Sequence, residues 1–321
     1  MTISAKEFDF HAARLRLEAK TKGAGEKLTT LEDAVTCVQN GDHVAIGGCL
    51  YSRTPLALMW ALLRRRPHGL TLSRNLMCYE GEWAVVAGAA EKLVTSWMGI
   101  GLRWGLSRIQ REYVESGRVQ FEEWSHLALG LRFRAAAMGV PFLPSITMLG
   151  SSLMDVGPSK TVECPYTGET LHAVPALFPD VALIHVHRAD RFGNCQIDGY
   201  PHMDADIARA ATTVLVTAEE IVPEDTIRLH SDRTVIPGFA VDALIHVPYA
   251  SYPHECYGLY DSEPEHFTAY VDGIKERGAT GGVTDYLERY VYAPSGWDEY
   301  LALFPESARR EAAERARMLT S

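Results

Sequence analysis

An α/β fold, with an open, mostly parallel sheet and helices on both faces, is predicted by three observations. Strand-like and helix-like stretches alternate from Thr29 onward. Three β-rich runs, "VALIHVHRAD", "TTVLVTAEEIV" and "GFAVDALIHVPYA", follow in the second half. Near the start, the apolar run Val44–Ile46 meets Gly47-Gly48, a polar turn and Pro55. That is how a parallel strand hands over to a helix at a ligand-facing edge.

The elements are expected in this order. Thr29 begins a helix with Glu32 at the capping-box position and Leu31, Ala34, Val35 and Val38 as its apolar stripe. Gly41 ends it, and His43–Ile46 is a buried strand. Thr54 is the expected cap of the next helix, with Pro55 at its first position and Arg64-Arg65-Arg66 at its end. Those arginines suit a solvated helix end or, alternatively, a phosphate site. Leu70–Ser73, Leu93–Trp97 and Val119–Phe121 are expected strands; Leu106–Glu115 and Ser125–Met138 are expected helices. Residues 154–176 look irregular, and Met203–Ala211 looks helical with Asp204 as its cap. The stretch 1–28 reads as an amphipathic arm of the kind that packs on a neighbouring protomer. Residues 29–321 read as a single domain whose helical tail, from about 284, wraps it.

The chain carries 47% apolar residues, enough for a full core, and a formal charge of −10, which argues against nucleic acid and anionic membranes as partners. No apolar run is long enough to span a bilayer, and the N-terminus lacks a secretory h-region. Six widely spaced cysteines without C-x-x-C fit reduced thiols in the cytoplasm. Cys49, in the opening turn, is read as a small residue filling a tight place rather than a reactive thiol.

Several site types are excluded. "GIGLRWG" (Gly99–Gly105) imitates a dinucleotide fingerprint, but Trp104 stands where the third glycine belongs. No P-loop and no G-x-S-x-G elbow occurs. His185 and His187 share one strand face without a third ligand nearby, so no metal is expected. Three acidic pairs stand at strand ends or in loops: Glu80 and Glu82, Glu122-Glu123 and Glu219-Glu220. Each is either a partly desolvated base or a charge that favours a helix start.

"NGDHVAIGGCLYSRTP" (Asn40–Pro55) resembles the signature of family I coenzyme A transferases, α subunit. Cys49 replaces its phenylalanine, and Arg53 replaces a glycine, as in the glutaconate-type branch. "HRADRFGN" (187–194), "ARAATTVLVTAEEIV" (208–222) and "IPGFAVDALI" (236–245) resemble further family motifs, in family order. "AAAMGVPFLP" (135–144) and "ECYGLYD" (255–261) are similar to the glutaconate-type α subunit.

The resemblance implies an active site between this chain and a β subunit, in an αβ heterodimer or a higher assembly such as α2β2 or α4β4. Coenzyme A is then a substrate, exchanged between an acyl-CoA and a carboxylic or dicarboxylic acid, and no cofactor is held permanently. The implied nucleophile is a β-subunit glutamate, which passes through a glutamyl-CoA thioester. Gly47, Gly48, Ser52 and Arg53 are expected to line the acyl side, with Asn75, Glu82 and Ser151 on the same wall. Arg53 pairs with a substrate carboxylate or with an acid of its own chain. The chain also resembles a steroid ring-opening CoA-ester hydrolase; that alternative makes Glu123 the catalytic base.

Overall fold

The computed structural model describes residues 9–320. Its strands are β1 (His43–Ile46), β2 (Leu70–Met77), β3 (Ala90–Gly101), β4 (Gly105–Leu106), β5 (Gln120–Glu123), β6 (Phe142–Ser145) and β7 (Lys160–Glu163). They continue as β8 (Thr170–Pro175), β9 (Val181–Ala189), β10 (Cys195–Gln196), β11 (Thr213–Ile221), β12 (Thr234–Ile236) and β13 (Ala243–His246). The helices needed below are α1 (Phe10–Ala19), α2 (Leu31–Ala34), α3 (Leu56–Arg64), α4 (Tyr79–Val86), α5 (Arg108–Glu115) and α6 (His126–Met138). After them come α7 (Leu153–Val156), α8 (Asp204–Ala210), α9 (Glu224–Leu229), α10 (Pro264–Arg277) and α11 (Ala279–Tyr286).

The parallel core runs β13-β11-β9-β1-β2-β3-β5. From β1 the chain builds outward through β2, β3 and β5. It then returns to the other side of β1 for β9, β11 and β13. The direction of winding therefore switches between β1 and β9, and a crevice opens there at the carboxyl ends of the strands. β1 is short and pairs with Val181–Leu183 of β9. β10 takes up pairing with β9 only at Arg188 and Ala189. The gap between them lies directly beyond Gly47-Gly48.

Alternation along β1 sends its side chains to two cores. Val44 and Ile46 pack with α2, α3, α4 and the tail, while Ala45 packs with α6 and α8. Every residue of α3 from Leu56 to Leu63 is buried, because the sheet covers one side and the tail the other. Each buried leucine there contributes about 1.5–3 kcal/mol. Of the three arginines at the end of α3, Arg65 and Arg66 are exposed, as a solvated helix end requires, while Arg64 is half-buried. Its Nη1 donates to the carbonyls of Val291 (2.7 Å) and Pro294 (2.6 Å) and so ties the tail to α3. Arg65 donates to the Val35 carbonyl, and Arg66 stacks on Tyr292 at 3.8 Å.

Other expectations shift for local reasons. The first cap of the domain is Thr30, whose Oγ1 accepts from Asp33 N (3.1 Å); Thr29 N is already donated to Leu244 O at the sheet edge. Pro55, not Thr54, precedes α3, and Thr54 Oγ1 turns inward instead. Residues 154–176 are not irregular: β7 and β8 join β6 in a small antiparallel sheet. The tail helices begin at Pro264, with Phe267, Tyr270, Val271 and Ile274 buried at helical spacing. Eight residues of the expected arm lie outside the described ones. From Asp9 on, the arm packs on its own domain, with Phe10 edge-on to Phe178 (6.0 Å) and Lys20 Nζ on Ala240 O (2.7 Å).

Candidate active site

The turn after β1 is a knot of buried backbone. Gly48 has φ +69°, and a Cβ there would overlap the Ser52 carbonyl, so only glycine fits. Cys49 and Ser52 close the turn by exchanging backbone hydrogen bonds (2.9 and 2.8 Å). Burial raises the pKa of the Cys49 thiol, so the residue is no activated nucleophile.

Two buried ion pairs grip this turn from opposite sides. In the gap beyond β1, the Arg53 guanidinium meets Asp204, at the first turn of α8. Its Nη1 also donates to His185 O (3.2 Å), and its Nη2 donates to Tyr200 O (3.0 Å). Asp204 uses its second oxygen to accept the Gly48 amide (2.8 Å). On the β2 side, Arg74 Nε donates to Gly47 O (3.2 Å), Nη1 to Glu80 Oε1 (2.6 Å) and Nη2 to Thr54 Oγ1 (2.9 Å). Thr54 Oγ1 also contacts His254 Nδ1 (2.6 Å). Arg53, Arg74, Glu80 and Asp204 are all buried. The single peptide group joining Gly47 to Gly48 is thus held at its oxygen by Arg74 and at its amide by Asp204, charged side chains that water does not reach.

The predicted residues divide around this knot. Gly47, Gly48, Ser52 and Arg53 do come together. Arg53 is buried and pairs with Asp204, an acid of its own chain. Asn75 lies next to the turn on β2, and its Nδ2 donates to His126 O (3.2 Å) and Met203 Sδ (2.9 Å). Glu80 and Glu82 are not in a loop but in α4. Glu82 faces the tail, where its Oε2 accepts the Tyr270 hydroxyl (2.6 Å). Burial pushes its pKa up to about 7, against the lowering effect of Ser107 and Tyr270. Ser151 is in an exposed turn and bonds only within it, to Met148 O (2.8 Å).

The pair at the end of β5 splits. Glu122 is buried and bonds Trp124 Nε1 (2.7 Å), Arg132 Nη1 (2.5 Å) and Lys92 Nζ (2.6 Å). Burial alone would raise its pKa; Arg132 and Lys92 overcome this and hold it at about 2. Glu123 is exposed. Three strand spacings separate its strand from β1, roughly 14 Å across the sheet.

His185 and His187 have separate partners: Glu219 Oε1 (2.8 Å) for His185 Nε2 and Tyr257 O (2.9 Å) for His187 Nε2. Glu219-Glu220 lies within β11 rather than after it. Two buried trios, Cys78–Glu80–His254 and His185–Glu219–Cys256, hold metal-ligand atoms within 4.8 Å of one another. In the second, in-chain donors occupy both oxygens of Glu219; in the first, Arg74 and the Cys78 amide both go to Glu80 Oε1. "GIGLRWG" is the hairpin from β3 to β4, and Trp104 Nε1 donates to Thr268 Oγ1 (2.9 Å). Sequence reasoning missed Arg74 and His254, and it read Thr54 and Asp204 as helix caps.

Residues 28–246 match the Coenzyme A transferase family. The chain belongs to that family. It is 32% identical to the A-type subunit of glutaconate CoA-transferase from Acidaminococcus fermentans, over 86% of this chain and 91% of the relative. It is 33% identical to the A-type subunit of 3-oxoadipate CoA-transferase from Pseudomonas knackmussii, over 87% and 99%. The crystal structure of the Acidaminococcus fermentans glutaconate CoA-transferase superposes with a TM-score of 0.84 at 30% identity, covering 89% of this chain and 95% of that one. A cholesterol ring-cleaving hydrolase IpdA subunit of Mycobacterium tuberculosis is 28% identical over 70% of this chain and 80% of its own length. This CoA-transferase family chain therefore corresponds to the A-type, or α, half of such enzymes. Its fold is that of the glutaconate enzyme. Among the described residues no helix is long and apolar enough to cross a membrane.

Proposed function

We propose that this chain is the α half of a two-subunit CoA-transferase and supplies the acyl-side wall of a cleft completed by a β partner. One observation carries this: the Gly47-Gly48 turn stands at the switch point, and the two carboxylates that grip it, Glu80 and Asp204, are already committed to its structure. Glu80 is buried against Arg74, and Asp204 is buried against Arg53. With both held in ion pairs, the turn supports the reading, implied by the family resemblance, that the nucleophile is a glutamate of the partner.

In this reading, a partner glutamate attacks the acyl-CoA carbonyl. The carbon–sulfur bond breaks, leaving an acyl-glutamyl anhydride and CoA thiolate. The thiolate then attacks the glutamyl carbonyl, releasing the first acid and forming a glutamyl-CoA thioester. The acceptor acid reverses both steps and leaves as the new acyl-CoA. The glycine pair lets the acyl group approach the backbone closely, and the two ion pairs fix that backbone before substrate arrives. CoA is a substrate here, and the acids are carboxylic or dicarboxylic. Six free cysteines fit a cytoplasmic heteromer, an αβ pair or a multiple of it.

The test is exchange of a labelled acid into acyl-CoA by this chain co-expressed with its β partner. Exchange by the pair and by neither chain alone supports the assignment. Ring-opening of a cyclic CoA ester without exchange would replace it by the hydrolase reading, with Glu123 as base.

A further inference from the structure

His202 stands in the 198–203 loop, which crosses the carboxyl end of β1. The loop is pinned on both sides of it: Arg53 holds Tyr200 O, and Met203 Sδ meets Asn75 Nδ2. Three features single out this residue. Its backbone has φ +53°, a left-handed conformation that costs a histidine about 1–2 kcal/mol. Its ring is flanked edge-on by His126 (5.5 Å) and Tyr200 (5.7 Å). Both ring nitrogens are shielded from water and have no hydrogen-bond partner among the described residues. His185 and His187, by contrast, have partners at both nitrogens. An unpaired buried polar group costs about 1–3 kcal/mol, so strain and lost hydrogen bonds converge on one side chain.

We infer that His202 is a substrate-contacting residue, whose imidazole N–H donates to the acyl oxygen of the bound thioester or acid over Gly47, Gly48 and Asn75. The inference rests on the reading of this edge as the acyl side of a CoA-transferase cleft. The exposed Tyr200 ring stands edge-on to the imidazole, and its hydroxyl makes no hydrogen bond among the described residues, so the ring turns aside at little cost. Burial above all lowers the pKa of His202 to about 4; Asp204 opposes this, while His126, Arg74 and Arg53 reinforce it. The ring is therefore neutral at pH 7, with one donor and one acceptor nitrogen. A neutral donor suits both half-reactions, because the acyl carbon presents a carbonyl oxygen in the thioester and a carboxylate oxygen in the acid.

The experiment compares the assembled enzyme with its His202→Phe, His202→Gly and His202→Asn forms in labelled-acid exchange, with kcat and KM measured for both substrates. Phenylalanine keeps the bulk of the ring without its nitrogens, and glycine relieves the backbone strain. Both should lower kcat/KM about tenfold or more, mainly through kcat, and asparagine, an N–H donor that tolerates this backbone, should recover part. A purely structural histidine predicts near-full activity in either the phenylalanine or the glycine form; kcat/KM within about twofold of wild type in either overturns the inference. A wild-type pair that performs no exchange removes both this inference and the reading beneath it. Wild-type exchange that the variants match removes the inference alone.

Discussion

Asp204 holds Arg53 with one carboxylate oxygen and the amide of Gly48 with the other. One residue on α8 thereby locks two positions of the turn after β1, across a sequence separation of about 150 residues. The glycine turn is consequently not a flexible loop. It is part of the buried interior, and its shape is set by charge.

Removing Asp204 is expected to be severe. Asp204→Ala leaves a buried guanidinium uncompensated and one amide unpaired, and should cost about 3–5 kcal/mol of stability. Urea denaturation of the isolated chain measures it. A loss under about 1 kcal/mol would mean that water or a relaxed loop replaces the pair.

Arg53→Met tests the internal pairing against substrate recognition. Because the guanidinium is buried and paired with Asp204, exchange should fall alike for monoacids and diacids, together with stability. Selective loss on diacids, with monoacids spared, would restore the role of substrate partner to Arg53.

Arg74→Lys preserves the charge and loses the fork that reaches Gly47, Thr54 and Glu80 together. Lower kcat is expected with unchanged helix content by circular dichroism. An enzyme as active as wild type would show that holding the Gly47 carbonyl is irrelevant to turnover.

Glu82 predicts an unusual pH dependence. Its folded pKa, about 7, lies above the reference value of 4.5. Below 4.5 both states carry the proton; between 4.5 and 7 the unfolded chain releases it while the folded one keeps it. This carboxyl's contribution to stability therefore falls as pH rises through that window. Glu82→Gln should raise the melting temperature at about pH 8, by the equivalent of up to about 3 kcal/mol, and change it little at about pH 4.5. An equal effect at both pH values would contradict the shift.

The sequence showed what is local and left out what closes at a distance. Val44–Ile46 followed by two glycines was readable because a strand end and a φ-positive turn leave a signature within a few residues. Arg74 left none, since its partners come from two separate places, Gly47 and Thr54 in the turn after β1 and Glu80 in α4. Asp204, just ahead of a helix, looked like a cap; only the fold shows that its carboxylate faces Gly48. Glu82 looked like a loop acid because the helix holding it starts at Cys78 without a side-chain cap. The tail was readable sooner than expected: Phe267, Tyr270, Val271 and Ile274 carry the helical period, and Pro264 marks its start.

Borohydride trapping of the co-expressed pair after addition of acyl-CoA tests the central claim most directly. The account predicts a reduced glutamyl thioester on one glutamate of the β partner and none on this chain, with Glu123→Ala leaving the trapped yield unchanged. A trapped carboxylate at Glu80 or Glu82, or no adduct on either chain while turnover proceeds, would contradict it.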